Sequence, residues 1–509
     1  MRRRTLRSFL ALLTVATLPV AAGAQGVPQN LSLGEAIRLA RSNSPTYQQF
    51  LNDADPAAAE VRASYGALLP SINSSAGLDY TRAGRQTFAN QIFQNSSQIG
   101  SSYSISASLG ISYGQFLAPQ RSKAQQRVTE ENIALAGVNL VADVSTQYLA
   151  VLRAEANVAV VEQQLVRNEE FLAQTRARFQ VGRGNMVEVR QAEVAKTSSD
   201  VQLLRAKQAV TNAKIELLRR MGLPPETDLD ALRLTDAFTL SEPTWDYASL
   251  RATAHGENPQ IRAADAQQEA AAIGVRSAKS QYLPSFSIST GLRGFTQQST
   301  SVDPLLANAL AGAQSQAQNC AFQNAILQRL TSPHPAPNGG IIPDCNAFAG
   351  LDASGTALQD EVAQGIRDSN TGWPFGFTTQ PWGISFGVSL PIFDGFRRAQ
   401  TVSAARAAED DAREAQRARR LEIDGQIQSG LLGVRTAWEA ARIADANRAA
   451  AADRLTLARQ RFEVGSGTAL EVSDAQNAVS QAEFDYVAAV YDYHTAVVGL
   501  EAAVGRPIR

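Results

Sequence analysis

The sequence predicts an α+β membrane protein in which each chain supplies four two-faced β-strands and two long helical hairpins to a larger assembly. Three observations lead there. The chain is written twice. Four segments alternate small polar with large apolar side chains. Two stretches of more than sixty residues carry apolar side chains at helical spacing.

Residues 1–24 read as a signal peptide, with Arg2, Arg3, Arg4 and Arg7 before an apolar run from Phe9 to Val20 and the small residues Ala22-Gly23-Ala24. That run is shorter than the roughly 20 residues a spanning helix needs. Neither cysteine lies near the cleavage site to take a lipid anchor. The remaining chain carries 43 basic and 48 acidic side chains, the wrong balance for a nucleic-acid partner. No later run is apolar enough to read as a transmembrane helix. An exported chain of this kind is periplasmic, secreted or inserted as a β-barrel.

The repeat shows in three blocks. Asn43-Ser44-Pro45 through Leu69-Pro70 matches Glu257-Asn258-Pro259 through Leu283-Pro284. Leu109–Ser112 matches Phe386–Ser389, with Phe116 on Phe393 and Arg121 on Arg398. Arg178–Gly184 matches Arg461–Gly467, and that register continues to place Glu188 on Glu471. The predicted repeats span 25–222 (helix 31–69, strands 70–83 and 101–114, helical hairpin 118–222) and 250–509 (helix 250–283, strands 284–296 and 382–392, hairpin 396–505). Residues 223–249, rich in Pro, Asp and Leu, read as a linker.

The strands are the sharpest feature. Tyr103, Ile105, Ala107, Leu109, Ile111 and Tyr113 alternate with Ser102, Ser104, Ser106, Ser108, Gly110 and Ser112. Trp382, Ile384, Phe386, Val388 and Leu390 repeat the pattern against Gly383, Ser385, Gly387 and Ser389. Phe286, Ile288 and Leu292 oppose a Ser/Gly face, and Ile72, Ala76, Leu78 and Tyr80 do so less cleanly. A soluble sandwich is the bland alternative, but its wet face would carry Lys, Glu and Thr. Aromatic strand ends favour a membrane interface. Four strands fall short of the roughly eight that close a single-chain barrel. A bilayer tolerates no open edge, so several chains must share one barrel.

The stretch 118–180 has Leu140, Val144, Tyr148, Val151 and Leu152 at helical spacing, and 396–462 repeats it. Each corresponds to a helix of roughly 95 Å at about 1.5 Å per residue. Their alanine-rich composition suits close-packed helices around a hollow tube.

With the duplication, the Leu390-Pro391-Ile392-Phe393-Asp394-Gly395 element and the two Arg-Phe-x-Val-Gly-x-Gly turns, the sequence resembles the TolC family of outer-membrane efflux and secretion channels over residues 31–507. The resemblance implies a homotrimer with a 12-stranded β-barrel in the outer membrane and its lipid, continuous with a coiled-coil α-helical periplasmic tunnel. A periplasmic adaptor protein and an inner-membrane pump would be the partners, with passive conduction and no cofactor.

The candidate site residues follow. The turns Phe179-Val181-Gly182-Gly184 and Phe462-Val464-Gly465-Gly467 connect antiparallel helices, their glycines read as positive-φ positions, and would form the adaptor-facing periplasmic tip. Glu471 and Asp474, three apart on one helix face, match the family's acidic entrance positions. The first repeat keeps Glu188 but has Gln191 in place of the second acid. A helix start favoured by the macrodipole is the alternative reading of these acids. Phe462 and Gly467 occupy positions where some members carry polar latch residues. The segment 297–380 has no counterpart of similar length in the first repeat, would face the exterior, and holds Cys320 and Cys345, expected as a disulfide. His255, His334 and His494 lack metal-ligand spacing, and no catalytic group stands out, so an enzyme is not expected. A coiled-coil scaffold without channel activity is the competing class, one that would not need the Ser/Gly-against-aromatic alternation.

Overall fold

The computed structural model describes residues 29–88, 91–224, 229–331 and 334–508. The signal-peptide segment lies outside them. In chain order the elements are β1 (Asn30–Leu31), α1 (Leu33–Asn43), α2 (Pro45–Asn52), α3 (Ala54–Gly66), β2 (Ser71–Thr81), β3 (Gly84–Phe88), β4 (Gln91–Asn95), β5 (Gln98–Ile111), α4 (Tyr113–Gln180), α5 (Met186–Met221) and β6 (Arg233–Leu234). There follow α6 (Tyr247–Glu257), α7 (Pro259–Ser280), β7 (Ser285–Ser299), α8 (Asp303–Leu327), α9 (Cys345–Phe348), α10 (Asp360–Ser369), β8 (Thr378–Thr379), β9 (Gly383–Ser389), α11 (Arg397–Glu463) and α12 (Ala469–Val504). Two compact units result. One holds the strand sheet (Glu60–Ser122, Ile273–Arg406) and the other the remaining, mostly helical chain.

The sheet is antiparallel in the order β2-β5-β7, with β9 and the short β8 both on the far side of β7. The period-2 alternation sets its register, so each face is uniform. Ile105 pairs with Leu292, Leu109 with Ile288 and Ile288 with Phe386 on one face. Ser108 pairs with Ser289 and Ser289 with Ser385 on the other. Hydroxyls hydrogen-bond across that polar face, Ser71 to Ser108 at 2.9 Å, Ser75 to Ser104 at 2.8 Å and Ser289 to Ser385 at 2.7 Å. Around Ile72 and Phe386, each more than 70% exposed, no second layer covers the apolar face within the described residues. A sandwich core is therefore not what these side chains form.

Several boundaries differ from the sequence reading. Pro45 and Pro259 break the first helical stretch of each repeat, because the residue before proline avoids the helical region; Ser44 and Asn258 are extended. The fourth strand is split. Pro381 has no N–H to give the ladder, and three residues (380–382) oppose two (292–293) in a bulge between β8 and β9. A hairpin, β3–β4, lies between β2 and β5. Tyr113 is not a strand end but the first residue of α4, whose start is fixed by the Ser112 N–H donating to Gln115 at 2.9 Å. The matching junction in the second repeat is a separate corner. Arg398 donates to Asp394 at 2.9 Å and to the Pro391 carbonyl at 2.6 Å, and stacks over Tyr282 at 4.7 Å. Arg121, its counterpart, is exposed.

In the helical unit each repeat builds a matching apolar core. Val144, Tyr148, Val151, Leu217 and Met221 fill the first with Leu31, Leu39 and Leu232. Ile427, Leu431, Val434, Leu500 and Val504 fill the second, position for position, with Leu250 and Ile261. One stretch of α4 is long and apolar enough to cross a membrane, where the sequence reading expects no such helix. Its Val144, Tyr148 and Val151 belong to the first of these cores.

The stretch read as a linker is packed onto both. β6 pairs in parallel with β1, and the Lys214 ammonium donates to the Leu232 carbonyl at 2.7 Å. The Asp236 carboxylate takes the Leu33 N–H at 2.6 Å and lies 2.9 Å from the Tyr148 hydroxyl. Burial, reinforced by this carboxylate, pushes the Tyr148 hydroxyl's pKa well up. Farther along, Leu240 and Trp245 pack on the second core, and Tyr493 donates to the Ser241 carbonyl at 2.7 Å.

Candidate functional site

Each hairpin turns in a few residues, by the same chemistry twice. In the first turn Gly182 has φ +73°, and the Arg183 N–H returns to the Arg178 carbonyl at 2.8 Å. In the second, Gly465 has φ +80°, and the Ser466 N–H returns to the Arg461 carbonyl at 2.9 Å. Gly184 and Gly467 were expected to share the left-handed conformation and do not. Their need for glycine is steric. A Cβ on Gly467 would lie 3.0 Å from the Phe462 nitrogen, and one on Gly184 would lie 3.2 Å from the Phe179 nitrogen. Val181 and Val464 stand at the turns 71% and 79% exposed, and Phe179 is partly exposed.

Phe462 is not part of that exposed surface. It is buried in a third apolar cluster with Phe171, Ala192, Leu455 and Val472, its ring 5.6 Å from that of Phe171. The Arg178 guanidinium sits 4.1 Å over the Phe462 ring and also donates to the Phe462 carbonyl. A cation and an aromatic ring thus connect the two hairpins at a position expected to lack a polar latch. Deeper in, Arg167 on α4 grips Glu483 on α12 at 2.8 Å, and Gln476 donates to the Arg167 carbonyl at 3.2 Å. Residues about 300 apart are involved, which no local pattern reveals.

The acids also have local roles. Asn185 caps α5 by accepting the Glu188 N–H at 2.9 Å, and Thr468 caps α12 by accepting the Glu471 N–H at 3.2 Å. Glu188 and Glu471 therefore occupy the third helical position, where a carboxylate is favoured. Glu471 also lies 3.7 Å from Arg461, an exposed pair of small energetic value. Asp474 is exposed, one turn farther along the same face. Glu193, which the sequence reading passed over, is held below the usual carboxylate range by hydrogen bonds from Arg176 and then Arg190, both at 2.7 Å.

The histidines fall in three unrelated places. His255 shares Asp424 with Arg251, His494 stacks on Tyr493 and Phe238, and His334 accepts the Ala336 N–H. In the other unit Cys320 is bonded to Cys345, their Cα atoms 5.6 Å apart.

A family model described as outer membrane efflux protein matches residues 36–223 and 350–506. The outer membrane protein TolC of Vibrio cholerae is 26% identical over 267 residues, which is 51% of this chain and 57% of that protein. The match thus spans little more than half of that relative's length. The fold extends further. A membrane protein from Pseudomonas aeruginosa superposes with a TM-score of 0.65 at 18% identity over 93% of both chains. The outer membrane protein VceC of Vibrio cholerae gives 0.66 at 15% identity, over 94% of this chain and 97% of its own. The outer membrane channel CmeC of Campylobacter jejuni gives 0.65 at 16% identity, over 93% of this chain and 85% of its own. The chain belongs to the outer membrane efflux protein family, outer-membrane transport proteins rather than enzymes.

Proposed function

We propose that three copies of this chain close a twelve-stranded outer-membrane barrel above a helical periplasmic tunnel. The assembly acts as the passive exit duct of a tripartite efflux or type I secretion machine, met by a periplasmic adaptor and driven by an inner-membrane pump. The sheet carries this reading. It has an apolar face left bare around Ile72 and Phe386, a hydroxyl-lined opposite face and, among the described residues, unpaired outer edges on β2 and on β9. Unpaired backbone groups in hydrocarbon cost several kcal/mol each, so β9 of one copy must pair with β2 of the next.

The exposed Val181 and Val464 support an adaptor contact at the tips. Glu471 and Asp474, with Glu188 beside them, would recur in each copy as an acidic ring that favours cations.

Two measurements test the proposal. The mass of the detergent-solubilised assembly must equal three chains, and a monomer would end the barrel reading. Single-channel currents in planar bilayers must be blocked by divalent cations, and Glu471→Gln/Asp474→Asn, which keeps the helix cap intact, must relieve that block. Unchanged block would remove these acids from the entrance.

A further inference from the structure

Residues 370–379 connect α10 to β8, and they lie on one particular face of the sheet. The Ser101 hydroxyl donates to the Pro374 carbonyl at 2.7 Å, and the Phe377 ring meets the Tyr103 ring edge-on at 4.9 Å. Asn370 clamps Ser299, taking its N–H at 2.8 Å and donating to its carbonyl at 2.9 Å. A Cβ on Gly372 would lie 3.3 Å from the Thr296 hydroxyl. Ser101, Tyr103 and Thr296 share the parity of Ile105, Leu109, Ile288 and Leu292, so the strap crosses the apolar face and not the serine-lined one. It does so at the end of the strands farthest from their junctions with α4 and α11.

The strap has the composition of that location. From Asn370 to Phe393 there is no charged residue, while Trp373, Phe375, Phe377, Trp382, Phe386 and Phe393 fall within it. Gly372 and Gly376 pinch together, the Gly376 N–H donating to the Gly372 carbonyl, and a side chain on Gly376 would meet the Gly372 backbone. The pinch presents Trp373-Pro374-Phe375 as a tip. The Pro374 carbonyl is tied down to Ser101, whereas Phe375 is 83% exposed. Aromatic side chains collect where an apolar protein surface meets lipid headgroups.

We propose that the strap 370–379 is a lipid-contact element. It lies outside the barrel wall, with Trp373 and Phe375 seated in the outer leaflet at the level of Ser101 and Thr296, and it sets the upper limit of the membrane-embedded band. The large second-repeat insertion is thereby anchored to the lipid side of the sheet and not across the barrel mouth. This rests on the membrane reading of the sheet, continuous with the bare Ile105–Leu292–Phe386 surface.

The test uses the full chain, reconstituted in phosphatidylcholine vesicles with or without brominated acyl chains. In a W373F/W382F background, whose remaining Trp245 and Trp438 belong to the helical unit and give a fixed baseline, F375W and F386W are compared. The expected result is a blue-shifted emission and a loss of intensity with bromolipid for both variants. Quenching at 386 with a water-like, unquenched signal at 375 overturns the strap proposal while leaving the membrane sheet intact. No quenching at either position overturns the membrane reading as well.

Discussion

The cation–aromatic contact at the hairpin tips is open to a sharp test through Phe462→Leu. Leucine keeps most of the buried apolar volume and leaves the main-chain carbonyl available to Arg178, so the substitution deletes the ring alone. Two terms are lost. The pair with Phe171, at 5.6 Å and therefore within the attractive range for aromatic rings, is worth about 1 kcal/mol beyond area burial. The Arg178 guanidinium at 4.1 Å over the ring, half withdrawn from solvent, contributes about 1 kcal/mol more. A combined loss of about 2 kcal/mol corresponds to a roughly 30-fold increase in local opening. Hydrogen exchange with mass spectrometry reads it directly, at the amides of Val181, Gly182 and Arg183 that bond back into α4. Those amides exchange roughly 30-fold faster in the variant, while peptides from α8 do not change. Arg178→Met should produce part of the same effect, and the two substitutions together should cost less than their sum. Unchanged exchange at the tip in F462L would refute the idea that this ring holds the hairpins together.

Three further outcomes follow from other parts of the chain. Adjacent residues on β9 face opposite ways, so Phe386→Arg should cost about 2–4 kcal/mol of membrane folding stability and Ser385→Arg little, read as heat-modifiable gel migration in vesicles; equal effects would contradict the assigned faces. At the Glu216 cluster, hydrogen bonds from Arg219 and then Arg220 lower the carboxyl pKa to about 2 from 4.5. A depressed pKa stabilises above the unfolded value and is lost as pH falls toward the folded one, so Glu216→Gln should lower the unfolding free energy at pH 7 by under about 1 kcal/mol for so exposed a cluster, with the difference, followed by chemical denaturation, vanishing between pH 4.5 and 2. Gly465→Ala, placed at φ +80°, should destabilise the second turn by about 1 kcal/mol while Gly465→Asn is milder, seen as faster exchange at Ser466.

How much of this was legible depends on how local the cause is. The sheet was readable because alternation with period 2 is a direct projection of two environments onto the chain, and Ser102–Ser112 against Tyr103–Ile111 left little choice of face. The tip turns were readable as turns, yet sequence gave Gly182 and Gly184 the same reason. Distinguishing a left-handed φ from a close backbone approach needs coordinates. The strand end at Tyr113 was misplaced because alternation continues one residue into a helix whose start is set by Gln115. Composition marks 223–249 as a linker with little structure of its own, and the two-residue β6 is the only strand or helix in its described part before α6; the packing it overlooks is that of Leu232, Phe238, Leu240 and Trp245, apolar pins whose spacing is a signal available in the sequence. The Arg178–Phe462 contact had no such signal, since it depends on which hairpin lies beside which.

The bare edges of β2 and β9 also bear on how the protein is made. A chain that cannot satisfy its own edges gains nothing by entering the bilayer alone, so insertion is a many-body event. Its rate should fall with a power of chain concentration above one. Halving synthesis would then deplete finished assemblies by more than half, with the shortfall held as unassembled chains exposed to proteases.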